Sequence, residues 1–178
     1  LAFAQEDFHC LLDGELFLPE SWSEDRPRCR AAGIPDEMVY RPKWKIALEL
    51  YDRAISNGVD FEWITFDEGY GSKGPFLRGL DKKKQLFIGE VPTTMTGWLK
   101  KPNVELPPTE RRRGRPQQSA KIAQDNPKAR SFKQLLEESP KFVKQPWERY
   151  RVKDGDKGPM VWEVKHALVY RPEGKSIS

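Results

Sequence analysis

The chain has 178 residues, 37% of them hydrophobic and 33% charged, with a net charge of +4, which bounds it to one domain or one domain with an insertion. Its two cysteines, Cys10 and Cys29, are too few and too far apart for a CxxC metal site or a disulfide framework, and read as ordinary thiols of a reducing compartment. No run of about 18 apolar residues exists, so no membrane-spanning helix is expected, and no basic-then-apolar leader is expected either.

Residues 1–4 and 8–17 read as the arms of a hairpin, with Cys10, Leu12 and Gly14 sharing one face of the second arm. Leu18-Pro-Glu-Ser-Trp22 ends that strand. Residues 23–38 are polar, carry Pro27 and Pro35, and read as a loop with one helical turn. Pro42 suits the first turn of a helix. After it, Trp44, Ala47, Leu48, Tyr51, Ala54 and Ile55 recur at helical spacing, the clearest amphipathic pattern in the chain. Asn57-Gly58 closes that helix through a left-handed residue.

Residues 61–66, Phe-Glu-Trp-Ile-Thr-Phe, read as a buried strand that runs into Asp67 and then a glycine turn to Gly71. In open α/β sheets, ligands bind beyond the carboxyl ends of the strands, so Asp67 is the first candidate for a working residue. Two readings of it stand. It is a metal-ligating carboxylate of a two-metal phosphoryl-transfer site, which needs several acids converging on two cations. Or it is a cap for the turn or helix that follows. Glu68, next to it, reads as exposed. Residues 74–84 read as a short helix packed by Phe76, Leu77 and Leu80, and residues 86–91 as another buried strand. A helical crossover between strands points to parallel α/β pairing.

Residues 100–130 are rich in Pro, Arg, Lys and Gln and read as a basic linker or arm. Between Lys100 and Lys133 ten Lys and Arg face three Asp and Glu, a net of +7 that leaves −3 for the rest of the chain. Such asymmetry suggests a polyanionic partner, most often nucleic acid. The arm holds Arg111, Arg112, Arg113 and Arg115 in an Arg-Gly-Arg-Pro context. That pattern is either an extended minor-groove contact or a solvated basic linker making non-specific phosphate contacts. Ser131 with Gln134 predicts a capped helix over residues 132–138. Residues 147–153 and 160–170 read as two strands around the Asp154-Gly155 and Gly158-Pro159 turn signals. Glu163 and His166 fall on opposite faces of such a strand, so no joint ligand site is expected from them. His9 has no partner pattern.

Several of these segments in series resemble a known family: Leu11-Leu-Asp-Gly-Glu-Leu-Phe-Leu-Pro-Glu-Ser-Trp22, Glu24-Asp25 with Arg28 and Arg30, Ala32-Gly-Ile-Pro35, Tyr40-Arg-Pro-Lys43, Phe66-Asp-Glu-Gly-Tyr-Gly71 and Gly89-Glu-Val-Pro92. The chain resembles the DDE superfamily of insertion-sequence, cut-and-paste transposases. The resemblance implies an α/β fold: a partial RNase H-like mixed-sheet core over residues 1–98, the basic arm over 99–130 and a β-rich insertion segment over 131–178. It makes Asp67 the second acid of a catalytic triad. That acid would help hold Mg²⁺ or Mn²⁺ for cleavage and transfer of DNA strands at transposon ends. DNA, a second copy of the full-length protein and a cytoplasmic, nucleoid-associated location are the implied partners and place.

The family's first Asp lies on a strand upstream of the hairpin, and its final Glu lies on a helix after the insertion. The chain opens on Leu with strand-like residues, so a central fragment is expected. Glu163 sits on a strand and does not replace the final Glu. One acid of three cannot build a two-metal site, so the chain is expected to be inactive alone. The other class of function is a non-catalytic DNA-binding remnant of a transposase.

Overall fold

The computed structural model describes residues 1–105, 121–155, 158–173 and 176–177. The chain divides into two compact units, Leu1–Val91 and Pro92–Ser178. Helices and strands are mixed in an α/β arrangement, and each sheet among the described residues has two strands.

The first unit opens with the hairpin β1 (Ala2–Gln5) and β2 (Phe8–Leu11), antiparallel with Phe3 opposite Cys10. The second arm stops at Leu11, six residues short of expectation, and Leu11 is 88% exposed. Leu12 and Asp13 still bond to Leu1, whose amine donates to the Asp13 carbonyl at 2.9 Å. From there ion pairs replace the ladder: Arg53 donates to the Asp13 carboxylate at 2.7 Å and to Glu15 at 3.2 Å, and Arg41 bridges Glu15 and Glu49. The segment expected to end the strand instead holds α1 (Glu20–Ser23), and the expected loop over 23–38 holds α2 (Arg26–Ala31). Asp25 caps α2 through the Arg28 N–H, and Pro27 sits in its first turn, where a missing N–H costs nothing.

The main helix α3 (Lys43–Ser56) follows Pro42 and ends at Asn57, with Gly58 at φ +80°. Its buried residues are Ile46, Leu50, Tyr51 and Ala54, while Trp44, Ala47 and Leu48 pack at the edge of the core and Ile55 is exposed. The apolar stripe therefore lies slightly rotated from the one the spacing predicts. Then come β3 (Trp63–Phe66), α4 (Glu68–Gly71), α5 (Gly74–Lys82) and β4 (Leu86–Gly89). β3 and β4 pair in parallel, Trp63 opposite Leu86 and Phe66 opposite Gly89, through the helical crossover that the sequence predicts.

Phe76, Leu77 and Leu80 of α5 are the heart of this unit's core. Ile64, Phe66, Phe87 and Tyr70 pack against them, with Phe66 edge-on to Phe76 at 5.1 Å. Each such buried side chain stabilises by roughly 1.5–3 kcal/mol. The expectation of buried strands is corrected here. Only the side of Ile64, Phe66 and Phe87 is covered; Trp63 is 48% and Ile88 63% exposed on the other. A two-stranded sheet with one helical layer can hide one face only.

The second unit contains β5 (Thr96–Gly97), β6 (Val104–Glu105), β7 (Lys121–Ile122), β8 (Arg130–Ser131), α6 (Phe132–Glu138) and α7 (Pro140–Val143). The hairpin β9 (Glu148–Gly155) and β10 (Gly158–Val164) follows, then β11 (Pro172–Glu173) and β12 (Ser176–Ile177). β5 pairs with β8 and β6 with β7, so the chain on the two sides of residues 106–120 comes together. Ser131 caps α6 in a capping box with Gln134, as its sequence predicts. β10 ends at Val164 rather than 170; Tyr170 instead bridges Trp98, with two N–H···O bonds of 2.8 Å.

Candidate active site at the carboxyl edge of the parallel strands

Asp67 is the first residue beyond β3 and the N-cap of α4, in extended backbone at φ −82° and ψ 176°. Its Oδ1 accepts the Tyr70 N–H at 3.3 Å, and its carbonyl accepts from Gly71 at 3.0 Å. This geometry is that of the cap, one of the two readings of Asp67, and it uses one of the two carboxylate oxygens. The residue is exposed, and its second carboxylate oxygen has no hydrogen bond among the described residues.

Two glycines shape the turn. A Cβ on Gly69 would lie 3.0 Å from Asp67 Oδ1, so the absence of a side chain keeps the carboxylate clear. A Cβ on Gly71 would lie 1.8 Å from the Glu90 carbonyl, so α4 presses directly onto the backbone at the end of β4. Gly89 has a related role, because a Cβ there would fall 1.9 Å from the Phe66 ring. The ring thereby lies across β4 at the last rung of the ladder.

The parallel register carries Glu90 to the same edge. Its N–H donates to the Phe66 carbonyl at 3.1 Å, one step past the Phe66–Gly89 pair, and its side chain is exposed. Glu90 went unassigned from the sequence. The signal that could have found it is that both apolar runs end in an acid, Phe66-Asp67 and Gly89-Glu90. Beside Asp67 opens a cavity of about 450 Å³, bordered by Ile64, Phe66 and Tyr70 on one side and by Leu1, Ala2 and Ala4 on the other. Glu68 is exposed in the first turn of α4.

The remaining candidates do not join this edge. Glu163, on β10, pairs with Arg149 at 3.2 Å, whereas His166 lies two residues beyond the end of β10 rather than on the expected strand, with Nδ1 3.4 Å from Glu148. Arg111, Arg112, Arg113 and Arg115 lie outside the described residues. Among the described residues no group of three or more His, Cys, Asp or Glu gathers to hold a metal ion. Asp67 offers a free carboxylate oxygen, but a two-metal centre needs several converging acids. The described residues therefore do not complete a metal site.

A mixed α/β chain with an acid at the carboxyl edge of parallel strands is the kind of scaffold on which metal-dependent phosphoryl chemistry is built. A family model of the DDE superfamily endonucleases matches residues 1–159, and the chain belongs to that family of DDE-type transposases. No curated protein and no solved structure matches the chain. Membership implies a DNA substrate and nuclease- or transposase-type function, and nucleases of this superfamily generally use divalent metals.

Proposed function

We propose that this chain is part of a transposase that cleaves and transfers DNA strands with divalent metal, and that Asp67 is one of its catalytic carboxylates. The observation that carries the proposal is the place of Asp67. It stands at the carboxyl end of the first of two parallel strands, inside the span matched by the endonuclease family. Its cap hydrogen bond holds one oxygen toward Tyr70 and leaves the other open to the edge.

An RNase H-like sheet belongs to the same reading. β1 and β3 each pair on one side only among the described residues, and both border the cavity beside Asp67. A strand seated in that cavity would join the two ladders into one mixed sheet. An acid on it would come close to Asp67. Among the described residues no group of three acids gathers at this edge, and the second reading, a DNA-binding remnant without catalysis, fits that arrangement too.

Paramagnetic Mn²⁺ tests the role of Asp67 without requiring activity. Trace Mn²⁺ added to the 178-residue chain is expected to broaden the amide signals of Asp67, Glu68 and Tyr70 first. Asp67→Asn should remove that broadening while leaving the spectrum otherwise folded. Broadening that is centred elsewhere, or that survives the substitution, rejects Asp67 as a metal ligand.

A further inference from the structure

A groove of about 380 Å³ in the second unit runs between residues 97–103 and 126–130, with Leu135, Ser139 and Pro140 at its floor. Lys100, Lys101, Lys128 and Arg130 line it, and no acid does. Arg130 is spent on Glu138. The three lysines are exposed, and none has an ion pair or hydrogen bond among the described residues. Three unpaired ammonium groups round one concave surface are a cost in self-repulsion unless an anion sits between them.

The segments that carry them are held firmly. The Asn126 side chain imitates a strand: its Oδ1 accepts the Asn103 N–H at 2.8 Å, and its Nδ2 donates to the carbonyls of Asn103 at 2.9 Å and Ala123 at 2.8 Å. The Ala123 N–H adds a bond to the Asn103 carbonyl at 3.0 Å, and Trp98 Nε1 donates to the Pro127 carbonyl at 2.7 Å. The backbone that carries Lys100 and Lys101 is thereby tied to the segment that carries Lys128. Trp98 is 8% exposed with its N–H already used, and no other aromatic residue lines the groove. Proteins that hold single strands stack bases on open aromatic faces. This groove has no open face on which a base could stack, so what its lysines can hold is phosphate.

We propose that Lys100, Lys101 and Lys128 form a sequence-independent clamp for the phosphate backbone of duplex DNA. The proposal rests on the DNA-substrate reading above and assigns phosphate contacts to lysines other than the arginine run at residues 111–115.

A salt titration of duplex binding by the 178-residue chain tests it, with Lys100→Gln, Lys101→Gln and Lys128→Gln combined. Each neutralised phosphate contributes about 0.9 to the slope of log affinity against log salt, so the combined variant should lose about 2.7 from that slope. The loss should be equal on unrelated sequences, and Lys→Arg at the same positions should preserve the slope. An unchanged slope in the glutamine variant overturns the clamp, as does a loss confined to one sequence. Replacing Arg111, Arg112, Arg113 and Arg115 with Gln separates the two sets of residues; if that alone abolishes the salt dependence, the lysines contribute nothing and the clamp falls. A parent chain with no salt-dependent DNA affinity removes the DNA reading itself, and the clamp with it.

Discussion

At the scale of single residues, Asp67 has two duties that substitution can separate. As the N-cap of α4 it accepts the Tyr70 N–H, and losing such a cap costs about 1 kcal/mol. Asn caps as well as Asp does, so Asp67→Asn should unfold in urea near the parent's midpoint while Asp67→Ala falls below it. Equal losses in the two variants would mean that the cap is not what holds the turn. The glycines make a sharper contrast. Gly71→Ala sets a methyl 1.8 Å from the Glu90 carbonyl, which is backbone and cannot step aside. Overpacking of that kind costs about 1–3 kcal/mol. Gly79→Ala meets both methyls of Leu48, at 2.5 and 3.0 Å, which a turn of that side chain must clear, and gains about 1 kcal/mol of helix propensity. Urea denaturation should therefore show Gly71→Ala clearly destabilised and Gly79→Ala close to neutral.

At the scale of elements, the contrast between what the sequence disclosed and what it hid has a physical cause. α5 was legible because Phe76, Leu77 and Leu80 sit at one helical face and all three are buried. α6 was legible because a capping box is local chemistry. The edge acid was legible because an apolar run, an acid and a glycine turn lie consecutively. The end of β2 was not, because it depends on Arg53, 40 residues from Asp13 in the chain. α2 was hidden by Pro27, a residue that marks loops in general but is at home in a first helical turn. The open face of β3 and β4 was hidden because Trp63, Leu86 and Ile88 are apolar and look like core on paper.

Ion pairs also make these elements sensitive to acid, those of Asp13 with Arg53 and of Asp36 with Arg26 and Arg30. The Arg53 guanidinium beside Asp13 holds that carboxyl below its ordinary 3.8, and Arg30 with Arg26 does the same to Asp36. A carboxyl lowered in the folded state adds stability that is fully present above the unfolded value and lost as pH falls through the folded one. The contribution should therefore hold at neutral pH and disappear below 3.8. Urea midpoints followed from pH 7 into acid should fall less steeply in an Asp13→Asn, Asp36→Asn variant than in the parent. Because both sites are exposed, added salt should narrow the difference.

At the scale of the whole chain, the expectation concerns metal. A ligand stabilises a fold only by binding it at concentrations above its dissociation constant. No three-donor group forms among the described residues, so Mg²⁺ and chelator should leave the thermal midpoint of the 178-residue chain unchanged. The chain alone should likewise leave supercoiled plasmid intact in Mg²⁺. A midpoint raised by several degrees, or nicked plasmid that disappears with Asp67→Asn, would reveal a complete centre and overturn the one-carboxylate reading.

The double duty of Asp67 also shapes which mutations a lineage of such genes can carry without harm to folding. Replacement by Asn removes the charge and keeps the cap, a change reached by a single nucleotide from either Asp codon. Replacement by Val or Ala, equally close in the code, strips both. Copies silenced at this position but still folded should therefore accumulate Asn there, while copies carrying Val or Ala should also be the ones cleared by proteolysis.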